Sequence, residues 1–105
     1  EESKRNLFPV TDKEGCLQGI VSLDDIRPIM FHRELYGNVL VYELMQRPIE
    51  YVFIEERMES VMEKFERTGA WNLPVLDQGF HYVGFVSKSR ILSSYREQLS
   101  QVSHE

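Results

Sequence analysis

The sequence has one cysteine, little positive charge and no long apolar run. A lone Cys16 cannot form an internal disulfide, which excludes a disulfide-stapled secreted fold and favours a reducing compartment. The 17 Asp and Glu residues outnumber 12 Lys and Arg residues, for a net charge of -5, and this balance argues against nucleic acid as a partner. No stretch approaches the ~20 apolar residues of a membrane-spanning helix. These features predict a single small globular domain.

Two stretches of the chain align without a gap, FPVTDKEGCLQGIVSLDDI from Phe8 to Ile26 and LPVLDQGFHYVGFVSKSRI from Leu73 to Ile91. The two copies share these residues at an offset of 65 positions: Pro9 and Pro74, Val10 and Val75, Asp12 and Asp77, Gly19 and Gly84, Val21 and Val86, Ser22 and Ser87, Ile26 and Ile91. An ungapped match of this kind indicates an internal duplication.

The second copy predicts the element order β-α-β-β-α. The β-branched and aromatic run at 51–54 is typical of a strand. An apolar stripe at 58, 61, 62 and 65 predicts a helix that Gly69 ends. Two further strands follow at NLPVLD and YVGFVS, with Gly84 marking a close backbone approach or a bulge. A last helix follows Ser87 and has this apolar face: Ile91, Leu92, Tyr95, Leu99 and Val102.

The first copy holds only the last β-β-α of that unit. Its helix begins after Ser22, and Asp25 completes a capping box. Pro28 is expected to shorten or kink this helix. Because the strand and helix that should precede Phe8 would lie upstream of residue 1, we expect the chain to be a fragment of a longer protein, cut inside its first repeat.

The repeat divides the chain into four parts. Residues 1–31 are the last part of the first unit, 32–47 a connector with a short helix at VLVYELM, 48–102 the second unit, and 103–105 a tail.

The β-α-β-β-α unit, its strand pair and its tandem arrangement resemble a pair of CBS domains. This resemblance implies an α+β fold in which two units pack with pseudo-symmetry, the first truncated at its N-terminus. The segment GIVSLDDIRPIMF, with GAWNLPVLDQGFHYVGFVSKSRILSSYR, is similar to the cytoplasmic tail of bacterial CLC-type chloride channels and transporters. That narrower likeness implies a cytoplasmic regulatory domain covalently attached to an upstream domain in the inner or plasma membrane. CBS pairs also occur in other transporters and in metabolic enzymes, which stay open as alternatives.

The resemblance also implies a cleft for AMP, ADP or ATP as a regulatory ligand, with no cofactor required. In the first unit, Gly19, Ser22 and Asp25 match the family motif, in which the serine faces phosphate and the aspartate takes the ribose hydroxyls. The other wall comes from the second unit, and its expected residues are Tyr51, Val52, Ala70, Trp71, Asn72 and Pro74.

The second cleft departs from this pattern, because Arg90 stands where the motif has an aspartate. Arginine has no acceptor for a ribose hydroxyl. This cleft would draw on Arg5, Asn6 and Leu7, and we expect it to be empty or to hold an anion. Lys88 and Arg90 are the cations that could compensate a bound polyphosphate.

Each candidate residue also has a structural explanation. Ser22 and Asp25 suit any helix start, Trp71 could be a packing or dimer contact, and Arg90 could be a solvated helix residue. Asp12 and Asp77 suit turns.

Neither metal nor catalytic chemistry is predicted. Cys16 and His81 are equivalent in the two copies, but no further cysteine or histidine lies at ligand spacing, so we predict no metal site. The chain has no nucleophile elbow, Cys–His signature or P-loop, and we predict that it is not an enzyme.

Two functions remain, a nucleotide-sensing regulatory module and a dimerisation module without a ligand. Under both we expect a homodimer, because the first unit would otherwise present apolar surface. Its predicted contacts come from the two final helices of the units: Ile26, Ile29 and Met30 from one, Ile91, Leu92 and Tyr95 from the other.

Overall fold

The structure of the protein, a computed structural model, describes residues 6–94. The first unit consists of β1 (Leu7–Thr11), β2 (Leu17–Ser22) and α1 (Leu23–Met30). The connector contains a 3₁₀ turn (Arg33–Leu35) and the predicted short helix, α2 (Val41–Leu44). No helix in the described part of the chain is long and apolar enough to cross a membrane.

The second unit consists of β3 (Val52–Phe53), α3 (Met58–Thr68), β4 (Asn72–Leu76), β5 (Tyr82–Ser87) and α4, whose described residues are 88–94. The α+β class and the predicted β-α-β-β-α order are therefore confirmed. The expected α4 face residues Tyr95, Leu99 and Val102, like the tail, lie outside the described residues.

The core lies in the second unit. Its sheet has the order β3-β4-β5, with β3 parallel and β5 antiparallel to β4. Val52 and Leu73 from this sheet pack against Val61 and Phe65 of α3, and all four are at most 4% exposed. Met58 was predicted to share this face, but its side chain is exposed because it is the first residue of the helix.

The first unit is an antiparallel hairpin, β1-β2, followed by α1. The capping box at Ser22 is present, and α1 is short, with Pro28 inside it. No residue of α1 is buried, and among residues 6–31 Val21 is the one buried hydrophobic side chain. The first unit therefore depends on the rest of the chain for packing.

The connector pairs with the free edge of β2. Ile20 and Gln46 exchange two backbone hydrogen bonds, each 2.8 Å long. Gly19 makes this approach feasible, since a Cβ there would lie 2.6 Å from the Met45 sulfur and 3.1 Å from the Gln46 carbonyl oxygen. At Gly84, where the sequence predicted a close approach or a bulge, a Cβ would meet nothing within 4 Å. A register irregularity does lie in the partner strand, directly after its paired residue in β4.

The two units meet at their hairpin turns, on the pseudo-two-fold axis of the duplication. Cys16 and His81, equivalent in the two copies, form an antiparallel bridge. Two backbone hydrogen bonds flank it symmetrically: from Leu17 N–H to the Phe80 carbonyl at 3.3 Å, and from Tyr82 N–H to the Gly15 carbonyl at 2.9 Å. Gly15 and Phe80, also equivalent, both have positive φ, which Phe80 adopts at a steric cost.

Both turns are organised by an aspartate, as predicted. Asp12 Oδ1 accepts from the N–H groups of Glu14 and Cys16, and Asp77 Oδ1 accepts from those of Gly79 and His81, all at 2.9 Å. The hydrogen bond from the His81 backbone is the main reason that the pKa of Asp77 is lowered.

The Cys16 thiol lies at this junction, 3.6 Å from the Gly79 carbonyl oxygen. Desolvation and then the charge of Asp12 raise its pKa. Among residues 6–94, no cluster of three or more metal-ligating side chains includes this thiol or any other group.

We predict that Gly19→Ala destabilises the protein and that the equivalent Gly84→Ala does not. An alanine at Gly19 must displace Met45 or the Gln46 backbone, and such overpacking costs about 1–3 kcal/mol. An alanine at Gly84 meets open space, so its effect should stay within about 0.5 kcal/mol. Urea unfolding of the two variants measures both free energies, and equal losses would contradict the pairing of the connector with β2.

The Cys16 thiol should react slowly. Only the thiolate is nucleophilic, so a raised pKa moves the pH midpoint of alkylation above that of free cysteine. Iodoacetamide rates across a pH series, with free cysteine as the control, measure this midpoint. A midpoint at or below that of free cysteine would contradict the desolvation and the neighbouring negative charge described for this thiol.

Candidate functional site

A cavity of about 290 Å³ lies between the two units. The first unit contributes Ser22, Asp24 and Asp25 from the start of α1, and the second contributes Ala70, which precedes β4, and Asn72, its first residue. Four of the eight residues predicted as nucleotide contacts are thus brought together in one cavity, which we call the inter-unit cleft.

The capping box defines which atoms of the α1 start are available to a ligand. Asp25 Oδ2 accepts from the Ser22 backbone N–H at 3.1 Å and from the Ser22 hydroxyl at 2.9 Å. The Ser22 oxygen in turn accepts from the Asp25 N–H at 3.3 Å. Within residues 6–94, Asp25 Oδ1 has no hydrogen bond, so one carboxylate oxygen can accept from a diol while the cap is kept.

The second wall is positioned by the end of α3. Gly69, in the left-handed conformation, ends the helix and turns the chain toward β4. The Thr68 hydroxyl accepts from the Ala70 N–H at 3.1 Å and so fixes the residue that enters the cleft.

The other four predicted residues do not line the cleft. Val52 is 4% exposed and Pro74 is fully buried, so both are core residues. Tyr51 packs edge-to-face on Phe53 and Phe80. Their role as ligand contacts stays a prediction.

Trp71 also lies outside the cleft lining, 40% exposed. The Lys88 ammonium is 5.4 Å from its ring centroid, which is a cation–π contact. Lys88 is thereby directed to Trp71, and neither it nor Arg90 lines the inter-unit cleft.

The end of the connector and the first two residues of the second unit supply a third wall that the sequence did not predict, residues 46–49. The bridge between Ile20 and Gln46 sets this segment over the cleft, and Arg47 and Ile49 expose their side chains there. Ile49 is 75% exposed, an apolar surface that a base could cover. The feature of the sequence that could have indicated this third wall is Gly19, because it lets the connector approach β2 closely.

The second cleft is smaller and differently lined. A cavity of about 250 Å³ contains Asn6, Leu7 and Phe85, but neither Ser87 nor Arg90. The Ser87 hydroxyl accepts from the Arg90 N–H at 3.1 Å, a helix cap without a carboxylate. Arg5, which was also predicted here, lies outside the described residues.

A larger cavity, about 750 Å³, lies elsewhere, where β3 and β4 end. Phe53 and Phe80 form its apolar floor, and Glu55, Glu56 and Asp77 surround it. Glu56 is already engaged, since it accepts from the Phe53 N–H, the Ser60 hydroxyl and the Lys64 ammonium. Desolvation raises the pKa of Glu56, but these hydrogen bonds together outweigh it, so that the pKa is lowered. The sequence motifs predicted no site here.

Solved structures share the fold. The cytosolic domain of the Mg²⁺ channel MgtE in complex with ATP is 26% identical, with a TM-score of 0.67, over 84% of this chain and 33% of that chain. CBSX2 in complex with AMP is 22% identical, with a TM-score of 0.66, over 87% of this chain and 71% of that chain.

A curated relative is a homoserine O-acetyltransferase of Methanococcus vannielii, 24% identical over 87 residues. The match covers 83% of this chain but only 18% of that protein, so the chain spans a small part of the relative's length. The family model of the CBS domain matches residues 41–97, which is more than half of the sequence. The chain belongs to the CBS domain family.

Proposed function

We propose that this chain is a regulatory CBS module that binds an adenine nucleotide in the inter-unit cleft. The observation that carries the proposal is the meeting of Ser22 and Asp25 from one unit with Ala70 and Asn72 from the other in one cavity. The ribose hydroxyls would donate to Asp25 Oδ1, the base would lie against Ile49, and Ala70 and Asn72 would offer polar groups to its edge. Complexes of two similar proteins with ATP and AMP support this ligand class.

The CBS domain is a regulatory rather than a catalytic module, and the function proposed here contains no reaction. The relative's acetyltransferase name does not extend to this chain, which matches 18% of that protein.

The proposed domain limits are those of the repeat: residues 1–31 and 48–102 as the two units, 32–47 as the connector, and 103–105 as the tail. The finer proposal is that the module is the cytoplasmic tail of a CLC-type chloride channel or transporter, attached to a membrane domain upstream. Its support is the resemblance of the two motif segments, together with one similar structure that is the cytosolic part of an ion channel. Regulation of another transporter or of a metabolic enzyme is the alternative.

A second candidate function is a homodimerisation module without a ligand. The observation that favours it is the weak burial of α1, which has no buried residue and leaves Met30 44% exposed. Ile26, Ile29 and Leu92 are half-buried, and Ile91 packs on the core. Tyr95 lies outside the described residues.

The nucleotide site is tested by calorimetric titration of AMP, ADP and ATP into the wild type and Asp25→Asn. Loss of the carboxylate should weaken binding by about 10- to 150-fold, because a charged hydrogen bond contributes about 1.5–3 kcal/mol. The amide oxygen can still serve the cap, so the fold should be kept.

The matched control is Glu59→Gln, which removes one negative charge from the first turn of α3, outside the cleft. This variant should bind like the wild type. Saturable binding that Asp25→Asn leaves unchanged would contradict the proposed site, and no binding in folded protein would favour the ligand-free module.

The dimer is tested by sedimentation of the wild type, Met30→Glu and Met58→Glu. Both methionines are exposed, but only Met30 lies on the proposed interface, so Met30→Glu should sediment as a monomer while the other two sediment as dimers. A monomeric wild type at high concentration would refute the dimer.

A further inference from the structure

The charged residues that line the inter-unit cleft affect which adenine nucleotide it can bind. Among residues 6–94, its lining contains two carboxylates, Asp24 and Asp25, and one cation, Arg47. Resting on the proposed function, we infer that the cleft selects an adenine nucleotide with a single phosphate, that Arg47 holds this phosphate, and that the carboxylates reject a triphosphate.

Arg47 is positioned by the backbone on both sides. Gln46, before it, is fixed to Ile20 by two hydrogen bonds of 2.8 Å, and Pro48, after it, has a restricted φ. Its side chain is exposed and lines both the cleft and an adjoining hollow of about 470 Å³. The guanidinium therefore has room to turn into the cleft toward an anion.

No carboxylate in residues 6–94 forms an ion pair with Arg47. The nearby cations are already engaged: Arg27 with Asp24 at 2.6 Å, and Arg67 with Glu50 at 2.9 Å. A guanidinium without an internal partner binds phosphate through paired N–H groups, which makes Arg47 the counter-charge that this cavity offers.

The carboxylates limit how much anionic charge the cleft accepts. Asp24 forms an ion pair with Arg27, but its side chain is 63% exposed. Asp25 takes part in the α1 cap through Oδ2 only. Each phosphate beyond the first adds negative charge near these groups, and the described residues that line the cleft offer no further cation to balance it. Like charges at short range repel.

The cavity volume also favours a nucleotide with a single phosphate. About 290 Å³ is at the lower edge of the roughly 300–1,000 Å³ that small-molecule sites occupy. A nucleoside with one phosphate is a compact ligand, whereas a triphosphate is larger and fills more than a cavity of this size offers.

The test is calorimetric titration of adenosine, AMP and ATP, without divalent cations, into the wild type, Arg47→Gln, Asp24→Asn and the control Arg57→Gln. Arg57 is exposed and lies outside the cleft.

We expect the wild type to bind AMP about fivefold more tightly than adenosine, as an exposed ion pair of about 1 kcal/mol allows, and ATP more weakly than AMP. Arg47→Gln should bring AMP to the affinity of adenosine without changing adenosine itself. Asp24→Asn should raise the affinity for ATP, and Arg57→Gln should change nothing.

An unchanged ratio of AMP to adenosine in Arg47→Gln, or ATP bound as tightly as AMP, would overturn the inference while leaving the nucleotide site in place. Absence of binding by all three ligands to folded wild type would overturn the nucleotide site and this inference together.

Discussion

The backbone pairing of Ile20 with Gln46 is the constraint on which the cleft depends. It attaches the connector to the free edge of β2, and so sets residues 46–49 opposite the start of α1. Gly19 permits this pairing, because any side chain there would meet Met45. Without the pairing, the cleft would keep the α1 cap and the β4 start but lose its third wall, including Arg47.

The duplication explains the shape of the module, and its imperfections explain why the two clefts differ. Both copies keep the aspartate-organised turn and the serine cap, so the units meet symmetrically at the bridge of Cys16 and His81. Only the first copy keeps a carboxylate in the cap, and only its β2 edge is covered by the connector. The two clefts of one fold are therefore lined by different groups.

Much of the fold could be predicted because its signals are local. The capping box at Ser22 and the left-handed end at Gly69 depend on near neighbours, and both are present. Ser22, Asp25, Ala70 and Asn72 could be assigned to one cleft because the family resemblance supplied the pairing of the units. Arg47 and Ile49 could not, since their position depends on a pairing between a connector and a strand that no periodic pattern encodes.

The surroundings of Trp71 could also be predicted only in part from the sequence. Its place next to the cleft was predictable, but its contact with Lys88 depends on the geometry between β4 and α4. Phe80 has positive φ where the first copy has a glycine, and the turn geometry enforces this against the preference of the residue.

The measurement that tests the central claim most directly is an amide nitrogen–proton NMR titration of the isotopically labelled chain with AMP. The account predicts that changes in chemical shift concentrate at Ser22, Asp25, Ala70 and Asn72 and along residues 46–49. The residues of the 750 Å³ cavity around Phe80 should show no change. Changes concentrated at Phe80 and its neighbours, or no changes at all, would contradict a nucleotide site between the two units.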